Sequence, residues 1–240
     1  MYKNVKKIIF LITVLAPYLT SFSSETDAYD FSWLDPDKKV YVLQNRKYRK
    51  VGRAHINLGI GKTTSGAFVD ATSLQGRFGY FFTENWGFEF LYAKNNGDEN
   101  DTFMAVKNNN GSSATPFRRI VDNYMGFMVL WSPFYAKFNT FNKIIYMDWI
   151  LGAGLGKLEE SNNRNAIQPA ATGTELDIIE SHTTYVWGMG LKFYLSEIWN
   201  VRADLTGVHY SAQKAISQAN SNDKQWYTNF DATLSIGINF

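Results

Sequence analysis

From Phe230 to Phe240 every second residue is apolar: Phe230, Ala232, Leu234, Ile236, Ile238 and Phe240. Between them lie Asp231, Thr233, Ser235, Gly237 and Asn239. Successive side chains of a strand point to opposite faces, so a strand here has one wholly apolar face and one polar or empty face. In water, an edge strand with such a face invites aggregation. A strand that closes a membrane barrel requires it, because the backbone is paired around the ring and the apolar side chains meet lipid. A soluble β-sandwich strand is the alternative. The recurrence of the same alternation along the chain decides for the barrel.

About eight stretches carry the pattern, each near the ten residues of a tilted membrane strand. The first, 53–62, places Ala54, Ile56, Leu58 and Ile60 on one face. The second, 72–81, turns Leu74, Phe78 and Tyr80 outward and Gln75 and Arg77 inward. The third, 86–93, shows Trp86, Phe88, Phe90 and Tyr92 outward and Glu89 inward. The fourth, 121–132, is of ambiguous parity; Met125, Phe127, Val129 and Trp131 are the preferred outward set, and Pro133 is expected to end it. The fifth, 144–157, has Ile145, Met147, Trp149, Leu151 and Leu155 outward and Asp148 inward. The sixth, 183–194, has Tyr185, Trp187, Met189, Leu191 and Phe193 outward and Lys192 inward. The seventh, 200–210, has Val201, Ala203 and Leu205 outward and Arg202 and Asp204 inward. The eighth ends at Phe240. The expected fold is all-β, an antiparallel up-and-down transmembrane barrel.

The connections alternate in length. Those at 62–71, 94–120, 158–182 and 211–226 are rich in Asn, Ser, Thr and Gly, whereas 82–85 and 195–199 are short and the one after Pro133 is expected to be longer. Outer-membrane barrels have long outside loops and short periplasmic turns, and an N-terminus in the periplasm puts the long connections outside. Aromatics gather at the strand ends. Phe81, Trp86, Trp131, Tyr194, Trp199 and Phe240 are expected to ring the periplasmic interface, and Tyr92, Tyr124, Tyr185 and Tyr227 the outer one.

The first 24 residues read as a secretory signal peptide: Lys3, Lys6 and Lys7, then residues from Ile8 to Ala16 that are apolar apart from Thr13, then small and polar ones. Cleavage is expected between 23 and 28. Residues 25–52 are expected to form a periplasmic extension or a partial lumen plug, and 53–240 the barrel. Loss of the three lysines takes the formal charge from +2 to −1, or to +1 if Glu25 and Asp27 leave as well. A near-neutral chain offers nucleic acid no electrostatic footprint. With no cysteine there is no disulfide, thiol chemistry or lipid-modified cysteine.

Three stretches carry a family resemblance: Val40-Tyr41-Val42-Leu43-Gln44-Asn45-Arg46, Ser132-Pro133-Phe134-Tyr135-Ala136-Lys137, and Asp148 through Leu151-Gly152-Ala153-Gly154. With them the chain, over most of 38–240, resembles a family of small outer-membrane β-barrel domains of Gram-negative bacteria. Ala136 departs from that pattern, which has a glycine there. The resemblance implies a barrel of small size and assigns no reaction, substrate or cofactor. The final Ile236, Ile238 and Phe240 also resemble the signal read by the barrel-assembly machinery, which is therefore an expected partner.

Candidate chemistry is sparse. Arg77, Glu89, Asp148, Lys192, Arg202, Asp204 and Asp231 share the inward face. An eight-stranded interior is just filled by side chains, so a salt-bridged polar core is expected, with a proton or ion pathway as the sharper alternative. Leu151-Gly152-Ala153-Gly154-Leu155-Gly156-Lys157 lacks P-loop spacing. Its glycines, like Gly188 and Gly190, are expected to leave room in the lumen for large neighbours. His209-Tyr210-Ser211 could pair a base with a nucleophile on the lipid face, as in lipid A deacylases, but no third member follows in sequence. His55 and His182 stand alone in sequence, so no metal site is expected.

The resulting reading is a non-enzymatic barrel with a filled or very narrow lumen that organises the membrane or presents its loops. A lipid-modifying enzyme using His209 and Ser211, or a narrow pore, are the alternatives. The small outward residues Ala54, Ala203, Gly207 and Ala232 permit close packing between barrels. They lead to the expectation of a homo-oligomer whose centre holds outer-membrane lipid.

Overall fold

The computed structural model describes residues 28–29, 40–41, 46–64, 66–108, 115–140, 143–167, 177–214 and 223–240. The expected signal peptide, residues 1–24, lies outside them. The chain divides into two units, Met1–Lys47 and Tyr48–Phe240. In the first, Ala28–Tyr29 pairs antiparallel with Val40–Tyr41.

The second unit is a closed barrel of eight antiparallel strands, each paired with the next in sequence. They are β1 (Arg53–Thr64), β2 (Val69–Phe81), β3 (Trp86–Glu99), β4 (Arg119–Thr140), β5 (Lys143–Asn162), β6 (Ile178–Tyr194), β7 (Trp199–Gln213) and β8 (Lys224–Asn239). The last strand pairs with the first, from Phe230 opposite Thr64 to Asn239 opposite His55. Opposite partners can be followed round the ring from Ala54 through Tyr80, Phe88, Val129, Ala153, Trp187, Gly207 and Phe230. The path returns to β1 at Thr64, ten residues along. That stagger is the shear that lets tilted strands close without an edge.

Outward and inward parity follow the expected alternation, and on β4 it holds for Met125, Phe127, Val129 and Trp131, between two register shifts against β5. Leu58, Ile60, Leu155, Tyr185, Leu234 and Ile236 are among the large apolar side chains the wall turns outward. A lipid-facing wall exposes such groups without the penalty they would carry in water.

Three expectations need correction. The strands run well past ten residues; β1 and β2 absorb most of 62–71, and β4 and β5 are the longest at 22 and 20 residues. Pro133 does not end β4. The register against β5 shifts between Trp131 and Phe134, and pairing then continues to Thr140 opposite Lys143. A bulge is where a ladder tolerates a residue without an N–H, so the proline changes side-chain parity there instead of stopping the strand. Four aromatics assigned to the girdles point inward instead. Phe81, Tyr124 and Tyr194 are buried, and Tyr227 packs against the buried core. Each sits at the inward parity of its strand, so alternation overrides position along the strand.

Among the described residues, two short helices lie at the loop end: α1 (Asp101–Lys107) and α2 (Arg164–Ile167). The Asn100 side chain caps α1 by accepting from the Phe103 N–H at 3.0 Å. Its amide also donates to the Ala67 carbonyl at 2.9 Å, tying α1 to the β1–β2 turn.

Candidate functional site

The lumen is crossed by an ionic network centred on Glu89, which is fully buried. Arg77 Nη1 donates to Glu89 Oε1 at 2.8 Å, and Arg202 Nη1 donates to Oε2 at 2.5 Å. His55 Nε2 lies 3.1 Å from Oε2. Arg202 Nε also donates to Asp204 Oδ1 at 2.7 Å, and Arg77 Nε faces Asp204 Oδ2 at 3.7 Å. The remaining Arg77 nitrogen donates to Thr206 Oγ1 and Gln75 Oε1. Two guanidiniums and two carboxylates thus neutralise each other with most hydrogen-bonding groups engaged. A buried charge set persists only under that condition.

Asp231 and Asp148 anchor two further clusters, the first joined to the Glu89 set through Gln75. Asp231 accepts from Tyr124 Oη at 2.5 Å, from Gln75 Nε2 at 2.9 Å and from Asn229 Nδ2 at 2.9 Å. Asp148 sits at the periplasmic mouth, where Tyr194 Oη donates to it and Lys50 Nζ pairs with it at 3.0 Å. Lys50 also donates to Ser132 Oγ at 2.6 Å. Tyr48 stacks on Tyr194 with ring centroids 4.8 Å apart and meets Tyr146 edge-on. Lys192 donates to Asn239 Oδ1 at 2.6 Å. The cavity left at this mouth is about 10 Å³, room for about one water. Residues 48–50, expected in a periplasmic extension, therefore belong to the barrel end.

The polar core has an apolar counterpart. Leu91, Tyr124, Met128, Leu158, Val186 and Val208 belong to one buried cluster inside the ring, and Phe81, Leu130 and Ile150 to another. A Cβ on Gly152 would lie 3.0 Å from Leu130 Cδ2 and 3.5 Å from Met128 Sδ, so the missing side chain makes room for those two residues. The expectation of an ionic lumen covers only part of it.

At the outer mouth, cross-strand pairing sets Glu160 opposite Glu180 and Leu158 opposite His182. His182 Nε2 lies 3.2 Å from Glu160 Oε1 and 3.8 Å from Glu180 Oε2. Arg119 Nε holds Glu160 Oε2 at 2.9 Å, and Arg164 Nη2 holds Glu180 Oε1 at 2.5 Å. The Arg119 guanidinium lies over the Tyr227 ring at 4.0 Å. Beside it is a cavity of about 160 Å³ bounded in part by Phe68, Phe117, Tyr210 and Asn229. His182 is thus not isolated, which corrects the expectation that no ligand cluster exists. Glu160 and His182 lie on neighbouring strands 22 residues apart, so only the β5–β6 register could have revealed them.

His209 and Ser211 do face outward, as their parity requires. Trp187 Nε1 donates to His209 Nε2 at 2.8 Å, and His209 Nδ1 meets Thr228 Oγ1 at 2.8 Å. Both ring nitrogens are engaged, and among the described residues no carboxylate reaches the imidazole. A general base needs a free lone pair directed at its nucleophile. The same indole covers Gly207, where a Cβ would fall 2.4 Å from Trp187 Cε2. Ala203 lies opposite Leu234, and Ala232 opposite Leu205 and Lys62. Ala54 pairs with Tyr80 at the far end of β1 from Lys62. The four small residues do not gather into one patch. Phe240 donates its N–H to the Ala54 carbonyl at 2.9 Å, which fastens the end of β8 to β1.

Residues 43–240 match the outer membrane protein beta-barrel domain family. The chain belongs to that family. It is an integral β-barrel of the outer membrane. No curated relative matches it. Among solved structures it is similar to OprG from Pseudomonas aeruginosa, at 14% identity over 80% of this chain and 98% of that one, with a TM-score of 0.47. It is also similar to the N-terminal β-barrel domain of Pseudomonas aeruginosa OprF, at 16% identity over 79% and 98%, with a TM-score of 0.44. Ail, the attachment invasion locus protein of Yersinia pestis, is 17% identical over 79% and 99%, with a TM-score of 0.38.

Proposed function

We propose that this barrel is a non-conducting, non-enzymatic element of the outer membrane that stabilises the bilayer and presents its outer loops. The observation that carries this reading is the packed lumen. Glu89, Arg77 and Arg202 bridge it in one layer, the cluster around Met128 fills another, and Tyr48 and Lys50 stop its periplasmic end. An ion passing through would have to displace charge pairs and apolar side chains together. Planar-bilayer recording tests it: the purified barrel should give no steady single-channel current. Large, persistent currents would replace this reading with the narrow pore.

The enzyme reading has a direct test as well. Lipid A from cells expressing the protein should carry its full set of acyl chains, and His209→Ala should leave that pattern unaltered. Loss of an acyl chain that depends on His209 would overturn the non-enzymatic part.

A second reading, assembly into a lipid-enclosing homo-oligomer, draws on one feature of the β7–β8 seam. Ala203 beside Leu234 and Leu205 beside Ala232 make a small–large chequer on the outward face. Such relief allows close packing in lipid, where association gains little from hiding apolar area. Ala203→Cys and Ala232→Cys should cross-link between copies in intact membranes, and Phe88→Cys should not. A monomeric mass in mild detergents with no cross-link from either alanine position ends this reading.

A further inference from the structure

We propose that Glu160, Glu180 and His182 form a binding site for a divalent transition-metal ion in the outer mouth of the barrel. The three ligand atoms lie within 4.8 Å of one another. Metal–ligand bonds of about 2.0–2.2 Å set neighbouring ligand atoms about 3.0–3.6 Å apart in tetrahedral or octahedral geometry. The 3.2 Å and 3.8 Å separations from His182 Nε2 to the two carboxylates are close to that edge length. An ion can therefore enter with small side-chain adjustments, taking the place of the contact between His182 and Glu160.

The ligands are braced as well as close. Each glutamate commits one oxygen to an arginine, Glu160 Oε2 to Arg119 and Glu180 Oε1 to Arg164, and turns its other oxygen towards the imidazole. Tyr210 stacks on the His182 ring at 5.5 Å with the planes 26° apart. Asn162 Nδ2 reaches Glu180 Oε2 at 3.5 Å. Partners of this kind fix the orientation of metal ligands and raise affinity. A further pointer is Thr184, fully buried one inward position along β6 from His182, whose hydroxyl has no partner among the described residues. The pairing of β5 with β6 holds these groups in register from Glu160–Glu180 down to Gly156–Thr184.

The donor set selects the class of ion. One imidazole and two carboxylates suit Zn²⁺ and its first-row neighbours, whereas Ca²⁺ and Mg²⁺ take oxygen ligands. The two nearby guanidiniums oppose any added positive charge, so the ion must gain from bonding to the imidazole nitrogen. That further disfavours the hard cations. A bound ion would clamp β5 to β6 at the rim.

The test uses the full barrel, refolded in detergent without a histidine tag and shown folded by heat-modifiable mobility. Titration calorimetry with Zn²⁺ should give saturable binding at one ion per chain, with little heat from Mg²⁺ or Ca²⁺. His182→Ala should weaken it by more than about tenfold, and Glu180→Gln by a similar factor. Glu159→Gln, on the outward side of β5 next to Glu160, should leave it unchanged. Zn²⁺ should also raise the unfolding temperature of the wild type and not that of His182→Ala. Absence of saturable Zn²⁺ binding by the folded wild type overturns the proposal. So does binding that survives both substitutions in folded protein, because the ion is then held elsewhere.

Discussion

Arg202 and Glu89, 113 residues apart in sequence, meet inside the barrel with Nη1 2.5 Å from Oε2. Glu89 is shared with Arg77 and His55, and Arg202 with Asp204. Removing one member leaves its partners buried and uncompensated, which costs about 3–5 kcal/mol. Arg202→Ala should therefore destabilise the barrel more than any single loop substitution. Arg202→Ala with Glu89→Ala should recover part of the loss, since both stranded charges go together. Urea unfolding in detergent, followed by mobility shift, measures both. Equal loss from Arg202→Ala and from an exposed substitution such as Lys137→Ala would count against a charge-balanced core.

The hydroxyl of Tyr124 donates to Asp231, which Gln75 and Asn229 also hold. The Ser73 hydroxyl reaches the same carboxylate at 3.5 Å. Tyr124→Phe removes one of these four donors and leaves the ring in its apolar cluster. The expected cost is about 1.5–3 kcal/mol, as for a hydrogen bond to a charged group. Asp231→Ala should cost more, because it strips all of these donors of their acceptor. The ranking of the two variants in denaturant unfolding is the check.

At the periplasmic mouth, Tyr48 and Lys50 close the ring over Asp148. Tyr48→Ala with Lys50→Ala should open that end to water. Hydrogen exchange should rise around Asp148, Tyr194 and Ser132, while planar-bilayer conductance stays low, because the Glu89 layer and the Met128 cluster remain. A large current from this double variant would mean that the mouth segment alone seals the lumen.

Period-two alternation carried most of the fold. It placed Arg77, Glu89, Asp148, Lys192, Arg202, Asp204 and Asp231 on the inward side, where all seven are buried. It could not tell which of them meet, because contact across a lumen depends on shear, and shear is set by pairing register. The Glu89 cluster, the Asp231 cluster and the Asp148 cluster are products of that register. Tyr124, Tyr194 and Tyr227 show the opposite failure. They lie near strand ends, where girdle aromatics gather, yet the alternation of their strands turns them into the lumen. Pro133 was legible as a breaker and illegible as a bulge, since the ladder resumes only because β5 supplies partners down to Lys143. The outer-mouth cluster was hidden because Glu160 and His182 lie on strands whose relative register a single sequence does not display.

Gly207 explains an outward-facing gap that looked like room for a neighbouring barrel. The Trp187 indole lies across it, and its N–H reaches His209 Nε2 at 2.8 Å. Phe230 packs edge-on to the same indole at 6.1 Å. A Cβ at position 207 would overlap the indole, so Gly207→Ala should push Trp187 away from the wall and break the bond to His209. Trp187→Phe removes the donor while keeping an aromatic cover, and it separates the two effects. Gly207→Ala is expected to cost about 1–3 kcal/mol, the usual range for overpacking. Trp187→Phe should cost less, about 0.5–1.5 kcal/mol for one hydrogen bond. In Gly207→Ala the near-ultraviolet dichroism should change, because the indole leaves its fixed position against Phe230. If Gly207→Ala keeps both the stability and the dichroism of the wild type, the indole does not rest on the glycine. The notch would then be free for another barrel after all.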